Sequence, residues 1–557
     1  MEKKALIAFV LSFLVLILWS MLFQQKQPEP PKQEPAPQVE TPQQATQTKP
    51  PAVGTAPQPA PPATTLEPGQ DPTHPTIDEK EIVVDTPLYR ALFSSAGAGL
   101  KSFKLKEYHD TKDPASPMVE LINPEEKGSN YLKLAFAPQT GSSLQTVRYR
   151  VNEEAVTLGP DSAPRDLIFT GTTADGLNIT QTFRIDPSRY LVELTVTVEN
   201  PTPNEITGNI RAFLRTTPPL EKSSYYAFVG MALLVDDKLE TLEPDDLEEK
   251  QSFSGRVEWM AYESEYFMQA VIPENAPKAA ISAQSVTEGA LEASYIGPPL
   301  SLVPQGTTKA RFTLYCGPRD LTILKETGNN LDRAINFGWT DIIAKPLLYT
   351  LRFFNDYVKN WGISIILLTI CIKIIFWPLT HKSYKSMKEM QKLQPLMAKI
   401  REKHKNSKEQ MNKELMALYK TYKVNPFGGC LPMVIQIPVF FALFRILGAS
   451  IELRHAPFML WINDLSAPDR LFHFPFEIPY MEQPSGIPVL TLLMGASMFI
   501  QQKMTPTPGD PSQAKIMLLL PVVFTFLFIN FPSGLVLYWL VNNVLSIGQQ
   551  YRIKKSV

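Results

Sequence analysis

Residues 361–380 read WGISIILLTICIKIIFWPLT, an apolar run that contains one charged residue, Lys373. A run of about 20 apolar residues is long enough for a helix to cross the hydrocarbon core of a bilayer. A cation inside such a helix costs about 2.5–3.5 kcal/mol on insertion scales. It therefore lies in a hydrated cavity, beside a partner, or near enough to the interface for its long side chain to snorkel there. The run predicts a membrane-spanning helix, with Lys373 as the first candidate functional residue.

Five other apolar segments predict a protein with six transmembrane helices. They are 5–23, 429–448, 486–502, 515–531 and 533–550. The first has no small-x-small cleavage site after it, which favours an uncleaved signal anchor within residues 1–23.

Charge in the loops predicts the orientation. The 381–428 loop carries 12 Lys and Arg against 4 Glu, whereas the 449–485 loop carries 2 Arg against 5 acidic residues. Because basic loops stay in the cytoplasm, the first loop is predicted to be cytoplasmic and the second external. Basic residues at both ends of the chain, including the short tail 551–557, place both termini inside.

Overall composition excludes several classes of function. The net charge is -1, which argues against DNA as a partner, and 6 scattered His and 3 Cys suggest neither a metal site nor a disulfide framework. No cofactor is predicted.

Between the first two spans the chain changes character twice. Residues 24–78 are rich in Pro, Gln, Thr and Ala and predict an extended, disordered linker. Residues 79–325 then alternate apolar and polar side chains, as in 177–185 and 192–199, with turn dipeptides between the runs. This pattern predicts a large antiparallel β-sandwich or barrel with one buried face per sheet. It contains no nucleophile motif, phosphate loop or metal cluster, so a binding or scaffolding domain is expected.

Residues 331–358 carry apolar side chains near helical spacing, with charged residues between them. We interpret this segment as an amphipathic helix on the outer membrane surface, broken or kinked at Pro346. The alternative is a helix packed on the β-sandwich.

The cytoplasmic loop 381–428 contains two apolar stripes separated by the polar segment 402–409, and they predict a helical hairpin with a basic exterior. The hairpin is a candidate surface for partners, and the alternative is a simple anchor beside anionic lipid. The stripes comprise Met387, Met390, Leu393, Leu396, Met397 and Ile400, and Met411, Leu415, Met416, Leu418 and Tyr422.

Seven stretches in this order resemble the YidC branch of the YidC/Oxa/Alb family of membrane-protein insertases. They are FWPLT at 376–380, LQPL at 393–396, MALYK at 416–420, KVNPFGGCLP at 423–432, QIP at 436–438, WINDLS at 461–466 and FPSGLVLY at 531–538. The anchor, Pro-rich linker and large β domain resemble the Gram-negative form of that family over nearly the whole chain.

The resemblance implies a chaperone and insertase of the bacterial inner membrane, with a periplasmic β-supersandwich. It implies that residues 361–550 form a five-helix insertase core around a hydrophilic groove, open to cytoplasm and lipid and closed outside. Nascent membrane proteins, Sec translocon components, the ribosome, the signal-recognition targeting pathway and membrane lipids are the partners it implies. Two positions depart from the family pattern, because Lys373 stands where most relatives carry Arg and Trp539 where close relatives often carry Tyr.

The candidate site follows from these polar and aromatic residues. Thr369 lies four residues before Lys373 and shares its helix face. The expected groove residues are Lys373, Thr369, Gln436, Tyr538, Trp539, Asn542 and Asn543. The expected hydrophobic slide comprises Phe376, Trp377 and Phe440, and the expected ribosome or partner contacts are Lys403, Lys405 and Lys408.

Two other classes of function remain open. A secondary transporter would also use a polar intramembrane site, although no inverted repeat is detectable. An intramembrane Ser–Lys protease would pair Lys373 with Ser364 or Ser533. Ser364 is nine residues away on the same helix, and Ser533 belongs near the opposite membrane face. We therefore predict no enzymatic activity.

Overall fold

A computed structural model of the chain describes residues 79–123, 131–138, 147–218, 227–286, 289–405, 407–422, 424, 431–504 and 511–555. The predicted anchor at 1–23 and the linker at 24–78 lie outside these residues.

The β-rich domain contains strands β1 to β19 in the part of the chain that the structure describes. Their bounds are β1 Glu81–Asp85, β2 Tyr89–Ser94, β3 Gly99–His109, β4 Met118–Ile122, β5 Tyr131–Pro138, β6 Arg150–Val151, β7 Ala155–Thr157, β8 Arg165–Thr172, β9 Asn178–Ile185, β10 Leu191–Glu199, β11 Ile206–Thr216, β12 Gly230–Val235, β13 Lys238–Leu242, β14 Gln251–Glu263, β15 Phe267–Pro273, β16 Lys278–Ser285, β17 Leu291–Ile296, β18 Leu300–Leu302 and β19 Thr307–Pro318.

These strands form two sheets that share β14. The first runs β7-β1-β2-β3-β5-β11-β17-β16-β14, with β4 beside β3 and β18 beside β11. The second runs β6-β8-β9-β10-β19-β15-β14-β12-β13. The pairing of β1 with β7 is parallel, and the other pairings in the two sheets are antiparallel. The first half of β14 therefore belongs to one sheet and its second half to the other.

The two sheets pack face to face around an apolar core. Phe93 of the first sheet meets Phe183 and Phe169 of the second, with ring centroids 5.0 and 6.2 Å apart. Along β9 and β10 every second residue is buried, as the alternating sequence predicts. The prediction of a large antiparallel β-sandwich is confirmed.

A buried ion pair fastens the end of the sandwich to the segment that follows. Arg319 donates to Glu263 at 2.8 Å, and its guanidinium also donates to the Ala334 carbonyl at 2.9 Å. Burial raises the pKa of Glu263, and the nearby Arg319 charge opposes that rise.

Eight α-helices follow in the described residues. They are α1 Leu321–Thr327, α2 Asp341–Val358, α3 Trp361–Lys403, α4 Lys408–Thr421, α5 Leu431–Ala449, α6 Val489–Met504, α7 Pro511–Leu527 and α8 Ser533–Lys555. Short 3-10 turns occupy Pro244–Leu247, Leu331–Ala334, Gly338–Thr340, Ile451–Leu453 and Phe528–Asn530, and strands β20 Leu471–His473 and β21 Gly486–Ile487 pair between α5 and α6.

The helices differ from the sequence prediction in three ways. The 331–358 segment is not one helix, because two 3-10 turns precede α2. Pro346 does not end α2. It lies in the second turn, where its missing N–H removes one backbone hydrogen bond, and the helix continues to Val358. The hairpin does not begin a new helix at residue 381, because α3 continues without interruption to Lys403, about 64 Å at 1.5 Å per residue.

One helix of the described chain, α3, is both long and apolar enough to cross a membrane. Shorter apolar helical stretches occupy Val434–Ala449 and Met517–Asn530.

Helix α2 packs on α3 and α5 through a face that includes Ala344, Leu348 and Leu351. It also reaches the end of the β-rich domain, because Arg352 donates to Asp320 at 3.0 Å. The same guanidinium donates to Glu452, in the turn after α5, at 2.7 Å. Each of the two interpretations of the sequence gave this segment one contact surface, which was the membrane in the first and the β-sandwich in the second. The structure gives it contacts with the helices and with the end of the sandwich.

Two further contacts join the sandwich to the loop after α5. Arg454 donates to the His109 carbonyl at 2.6 Å and lies over the Phe267 ring, 5.4 Å from its centroid. Lys112 donates to the Asn463 carbonyl at 2.7 Å. The β-rich domain is therefore tied to the helical part at several points.

Candidate functional site

The side chain of Lys373 extends from α3 to α8. Its Nζ donates to Ser546 Oγ at 2.7 Å, and Ser546 Oγ in turn donates to the Asn542 carbonyl at 2.8 Å. Ser546 is only 2% exposed. No salt bridge to Lys373 occurs in the part of the chain that the structure describes. The ammonium is thus held between helices with a neutral acceptor, which differs from snorkelling along α3.

A second polar contact between α3 and α8 lies closer to the C-terminal end of α8. Gln549 Nε2 donates to Thr380 Oγ1 at 2.9 Å, and both side chains are buried. One step further, Lys388 Nζ lies 3.4 Å from the Ile553 carbonyl. Because α3 and α8 run in the same direction, these contacts form one polar seam with Lys373–Ser546, which we call the α3–α8 seam.

Ser546, Gln549 and Thr380 were not predicted as site residues. The available signal was their position at the ends of apolar runs. Thr380 ends the apolar run of α3, and Ser546 and Gln549 lie three residues apart on one face of α8. Their partners become apparent only when α8 packs on α3.

Gln436 and Tyr538 lie together, as the proposed groove requires. Gln436 Nε2 donates to Tyr538 Oη at 3.1 Å, and this contact joins α5 to α8. Tyr538 precedes Ser546 by eight residues, about 12 Å along α8 at the helical rise. The pair is therefore a polar contact nearer the start of α8, apart from Lys373.

The two asparagines face different neighbours. Asn543 donates to Ser497 Oγ on α6 at 3.0 Å and is 3% exposed. Asn542 supplies the carbonyl that accepts from Ser546. Both residues thus belong to the polar interior of α8, and Asn542 supports the Lys373 contact.

Thr369 does not reach Lys373. It is 1% exposed, and its hydroxyl donates to the Ile365 carbonyl at 2.7 Å within α3. A threonine in a helix commonly satisfies its hydroxyl in this way. Sharing a helix face with Lys373 therefore did not make Thr369 part of the same polar contact.

The aromatic residues divide into two groups. Trp539 packs edge-on against Phe440 and Phe528, with ring centroids 4.9 and 5.1 Å apart, so Phe440 and Trp539 join a cluster inside the bundle. Phe376 is partly buried, whereas Trp377 is 41% exposed on the outside of α3. Of the predicted slide residues, Phe376 and Phe440 are partly buried against the core of the bundle, and Trp377 is exposed.

Hydrogen bonds tie the loop after α5 to the start of α8 and to the end of the preceding helix. Ser533 Oγ donates to the Asp464 carbonyl at 2.6 Å, and Arg470 donates to the Ile529 carbonyl at 2.8 Å. Trp461 Nε1 donates to Asp469 at 2.5 Å. Burial raises the pKa of Asp469, whereas this hydrogen bond opposes the rise.

The serines proposed for a Ser–Lys protease are engaged elsewhere. Ser364 donates to the Asn360 carbonyl, and Ser533 donates to the loop after α5. The serine that does contact Lys373 is Ser546, which accepts from the ammonium and donates to a helix carbonyl. The two serines that such a dyad would use therefore have hydrogen-bond partners other than Lys373.

The hairpin of α3 and α4 forms its own small core. Met390, Leu393, Met397 and Leu415 are buried together between α3 and α4. Three residues of the predicted stripes instead face outward, because α3 and α4 meet along a narrow seam: Leu396, Met416 and Tyr422.

The predicted docking lysines lie at the tip of this hairpin. Lys403 pairs with Glu414 at 3.3 Å with its side chain 68% exposed, and Lys405 is also exposed. The side chain of Lys408 lies outside the described part of the structure.

Comparisons with known proteins cover both parts of the chain. The family model described as the 60Kd inner membrane protein matches residues 353–557, and the model of the YidC periplasmic domain matches residues 81–350. The membrane protein insertase YidC of Syntrophobacter fumaroxidans is 43% identical over 564 residues, covering 100% of both chains. The YidC of Geobacter sulfurreducens is 44% identical over 559 residues, covering 100% of this chain and 99% of the relative.

A solved structure of an active YidC insertase with its first transmembrane domain resolved is 20% identical, covers 85% of this chain and 93% of its own, and has a TM-score of 0.36. Full-length identity above 40% and two family models in the expected order agree with the resemblance drawn from the motifs. The chain belongs to the YidC family of membrane protein insertases.

Proposed function

We propose that this protein inserts nascent membrane proteins into the bacterial inner membrane through a polar site centred on Lys373. The observation that carries the proposal is the Lys373–Ser546 contact, in which a cation between two apolar helices has a neutral partner. Names of full-length relatives support the same activity. A transporter or protease is not favoured by any of these findings.

We infer six spans, with both termini in the cytoplasm and the β-rich domain in the periplasm. The loop charges support this topology, and α3, α5, α6, α7 and α8 supply the five-helix core. At 16 and 17 residues, α6 and α7 are shorter than the hydrocarbon core, which local thinning of the bilayer would accommodate. The proposed domains are 1–23, 24–78, 79–325, 331–358, 361–550 and 551–557.

The mechanism needs no covalent step. A substrate segment with acidic residues would leave the cytoplasm beside the α3–α8 seam, where Lys373 offsets part of the free energy of placing its carboxylates in the membrane. The apolar part of the same segment would partition into lipid past the exposed face of α3, which includes Ile374, Ile375 and Trp377.

Charge variants of Lys373 test this mechanism. Lys373→Arg should insert substrates normally, whereas Lys373→Glu should impair substrates with acidic translocated segments and affect neutral ones much less. Lys382→Glu is the matched control, because Lys382 lies exposed on the same helix beyond the apolar run. Equal insertion of acidic substrates by Lys373→Glu and wild type would refute the electrostatic role.

We also propose that α2 anchors the protein at the periplasmic membrane surface. Its outward face carries exposed apolar side chains, namely Ile342, Tyr349, Phe353 and Tyr357. Tyrosine is favoured at the membrane–water interface. Replacing Tyr349 and Phe353 with Ser should weaken insertion without lowering the thermal stability of the sandwich. A loss of sandwich stability would point instead to a packing role.

For partners, we propose that the hairpin receives substrates from the ribosome or the targeting pathway, alone or with Sec components. Its exposed lysines would contact a polyanion such as ribosomal RNA, and such contacts weaken with salt. Replacing Lys403, Lys405 and Lys408 with Glu should reduce ribosome co-sedimentation. Unchanged binding across a salt series would leave the hairpin as a lipid anchor.

A further inference from the structure

The outward face of the first sheet carries three basic side chains. Arg211 and Arg215 lie on β11, and Lys133 lies on the adjacent strand β5, directly opposite Phe213. The even-numbered residues of 210–214 belong to the core between the sheets, so the odd-numbered positions of β11 point away from it. Cross-strand partners point to the same side, so Lys133 shares this face with the two arginines. We call Lys133, Arg211 and Arg215 the basic face.

The three cations are close enough to act on one ligand. Arg211 and Arg215 are four residues apart on one strand, which is about 13 Å at 3.3 Å per residue. Lys133 lies diagonal to both, at about 7–8 Å, a distance that long side chains bridge. Its Nζ is 5.9 Å from the centroid of the Phe213 ring and 4.2 Å from that of Tyr131. The ammonium therefore lies above the row that joins the two arginines.

The arginines lack hydrogen-bond partners at buried atoms. The Nε atoms of Arg211 and Arg215 are both buried and accept no partner among the residues that the structure describes. Neither guanidinium forms a salt bridge within the described ranges, and the Lys133 ammonium forms none there either. Buried polar atoms in native proteins are nearly always hydrogen-bonded, and an exception is commonly explained by a bound ion or water.

The surroundings of the basic face do not neutralise it. Glu292 lies opposite Arg215 across the strands, but its carboxylate accepts from the Tyr131 hydroxyl at 2.9 Å. Burial lowers the pKa of Lys133, Glu292 opposes that fall, and Arg215 adds to it. The neighbours of these residues in the same rows of β5 and β17 are neutral: Ala135, Ser294 and Ile296. Three cations and one carboxylate leave two net positive charges.

The basic face lies at a distance from the helices. Leu132, next to Lys133, pairs with Leu100 on β3. Nine residues further along β3, the His109 carbonyl accepts from Arg454 in the loop after α5. At 3.3 Å per residue these two points are roughly 30 Å apart. That separation favours a soluble chain over the lipid headgroups around the helices as the occupant.

We propose that the basic face binds an extended acidic polypeptide segment that carries carboxylates on alternate residues. Alternate side chains of an extended chain point the same way and repeat about every 6.6 Å, which matches the steps from Arg211 to the row of Lys133 and on to Arg215. A carboxylate is purely an acceptor, and guanidinium groups bind it bidentately. The cations extend over about 13 Å, which is more than a single phosphate spans.

The test measures the binding of labelled octapeptides to the full-length protein in a non-ionic detergent by fluorescence anisotropy. The first peptide alternates glutamate with threonine, the second has the same composition with its glutamates in one block, and the third alternates glutamine with threonine. We expect the third to bind at least about 10-fold more weakly than the first, since one lost charged hydrogen bond costs about that factor. The block peptide should bind about 3-fold more weakly, because half of its carboxylates face away from the sheet.

Each comparison can fail separately. Equal binding of the glutamate and glutamine peptides would overturn the recognition of carboxylates. Equal binding of the alternating and block peptides would overturn the extended geometry.

Two matched double variants locate the binding. Arg211→Gln combined with Arg215→Gln removes both guanidinium groups from the basic face and should weaken the alternating glutamate peptide about 10-fold or more. Arg184→Gln combined with Arg311→Gln removes the same charge from exposed ion pairs of the second sheet and should leave the affinity unchanged. Unchanged affinity in the first double variant would refute the site. A lower melting temperature in it would also refute the site, because the guanidinium groups would then have structural partners.

Two other occupants are distinguished by the same assay. Glycerophosphoglycerol carries the phosphate of an anionic lipid headgroup, and displacement of the peptide by an equal concentration of it would assign the basic face to lipid. Light scattering without peptide reports self-association, and a dimer that dissociates in the first double variant would assign the face to a second copy of the chain. Either result would overturn the acidic peptide as the ligand.

Discussion

Replacing Arg352 with Met should destabilise the junction between the periplasmic domain and the helices. Arg352 lies on α2, donates to Asp320 at the end of the sandwich, and donates to Glu452 in the turn after α5. The side chains of Arg352, Glu452 and Asp320 are 16%, 11% and 20% exposed. All three are thus largely removed from water, and the substitution keeps an unbranched apolar stem while deleting the guanidinium and its charge.

The magnitude follows from which partner is left unpaired. Asp320 also accepts hydrogen bonds from the backbone N–H groups of Thr322 and Ile323, at 2.7 and 3.0 Å, so it keeps partners in the variant. Glu452 loses its cation. Removing one member of a buried pair costs about 3–5 kcal/mol. For a domain of this size that corresponds to a fall in melting temperature of roughly 2–4 °C per kcal/mol.

The sign of the pH dependence is also fixed. Burial raises the pKa of Glu452, while Arg352 opposes that rise, so removing Arg352 should raise it further. An acid whose folded pKa lies above its unfolded value loses stability as pH rises through that interval. The Arg352→Met variant should therefore be destabilised less, relative to wild type, near pH 5 than near pH 7.5.

Thermal unfolding of the purified protein in detergent, at one scan rate, measures these shifts. Arg311→Met is the control, because Arg311 forms an exposed pair with Glu274, with side chains 61% and 48% exposed, and should cost about 0–1 kcal/mol. In a Glu452→Gln background, Arg352→Met should cost less than half as much, since no buried charge is left unpaired. If Arg352→Met cost as much stability in that background as in the wild type, or no more than the control substitution, an unpaired Glu452 would not be the cause.

Three further outcomes are expected. Ser546→Ala should weaken insertion of acidic substrates and Ser546→Thr should restore it, because the hydroxyl holds the Lys373 ammonium; equal insertion by all three proteins would contradict this. Gly495→Ala should lower bundle stability and Thr525→Ala should partly restore it, since a Cβ atom at 495 would lie 2.0 Å from Thr525 Oγ1; a stable single variant would contradict it. Burial and neighbouring cations lower the pKa of His455, so stability should fall as pH drops below about 6.5, and His455→Gln should show less of this loss in acid melts.

The β-rich domain could be predicted well from the sequence because its signal is local. Strands such as β9 and β10 alternate buried and exposed side chains residue by residue, and that alternation is visible in the sequence itself. The order of strands in two sheets could not be predicted, because it depends on pairings between residues more than 100 positions apart, such as Leu194 with Phe312.

Helix bounds were less predictable. The apolar run ends at residue 380, but a change in polarity does not break the backbone hydrogen bonds of a helix, so α3 continues to Lys403. Its start is clearer, because the Asn360 side chain accepts from the Ile363 N–H as an N-cap.

The candidate site was predictable only in part. A charge inside an apolar span is conspicuous, so Lys373 could be identified from the sequence alone. The polar partner of that charge could not, because a single serine such as Ser546 is common in apolar helices and acquires its role through packing. Thr369 shows the converse. Its four-residue spacing favoured a contact with Lys373, but its hydroxyl donates to the Ile365 carbonyl instead.

In the proposed function, Lys373 meets acidic residues of the substrate inside a hydrated site. Carbodiimide coupling joins an amine directly to a carboxylate without a spacer, so it reports this contact with the native side chains. With a stalled nascent membrane protein whose translocated segment carries one Asp, mass spectrometry should find an isopeptide bond between that Asp and Lys373. The bond should be absent when the Asp is Asn or when Lys373 is Arg. Coupling of the same Asp to surface lysines such as Lys382, with none at Lys373, would contradict a direct contact between Lys373 and the substrate.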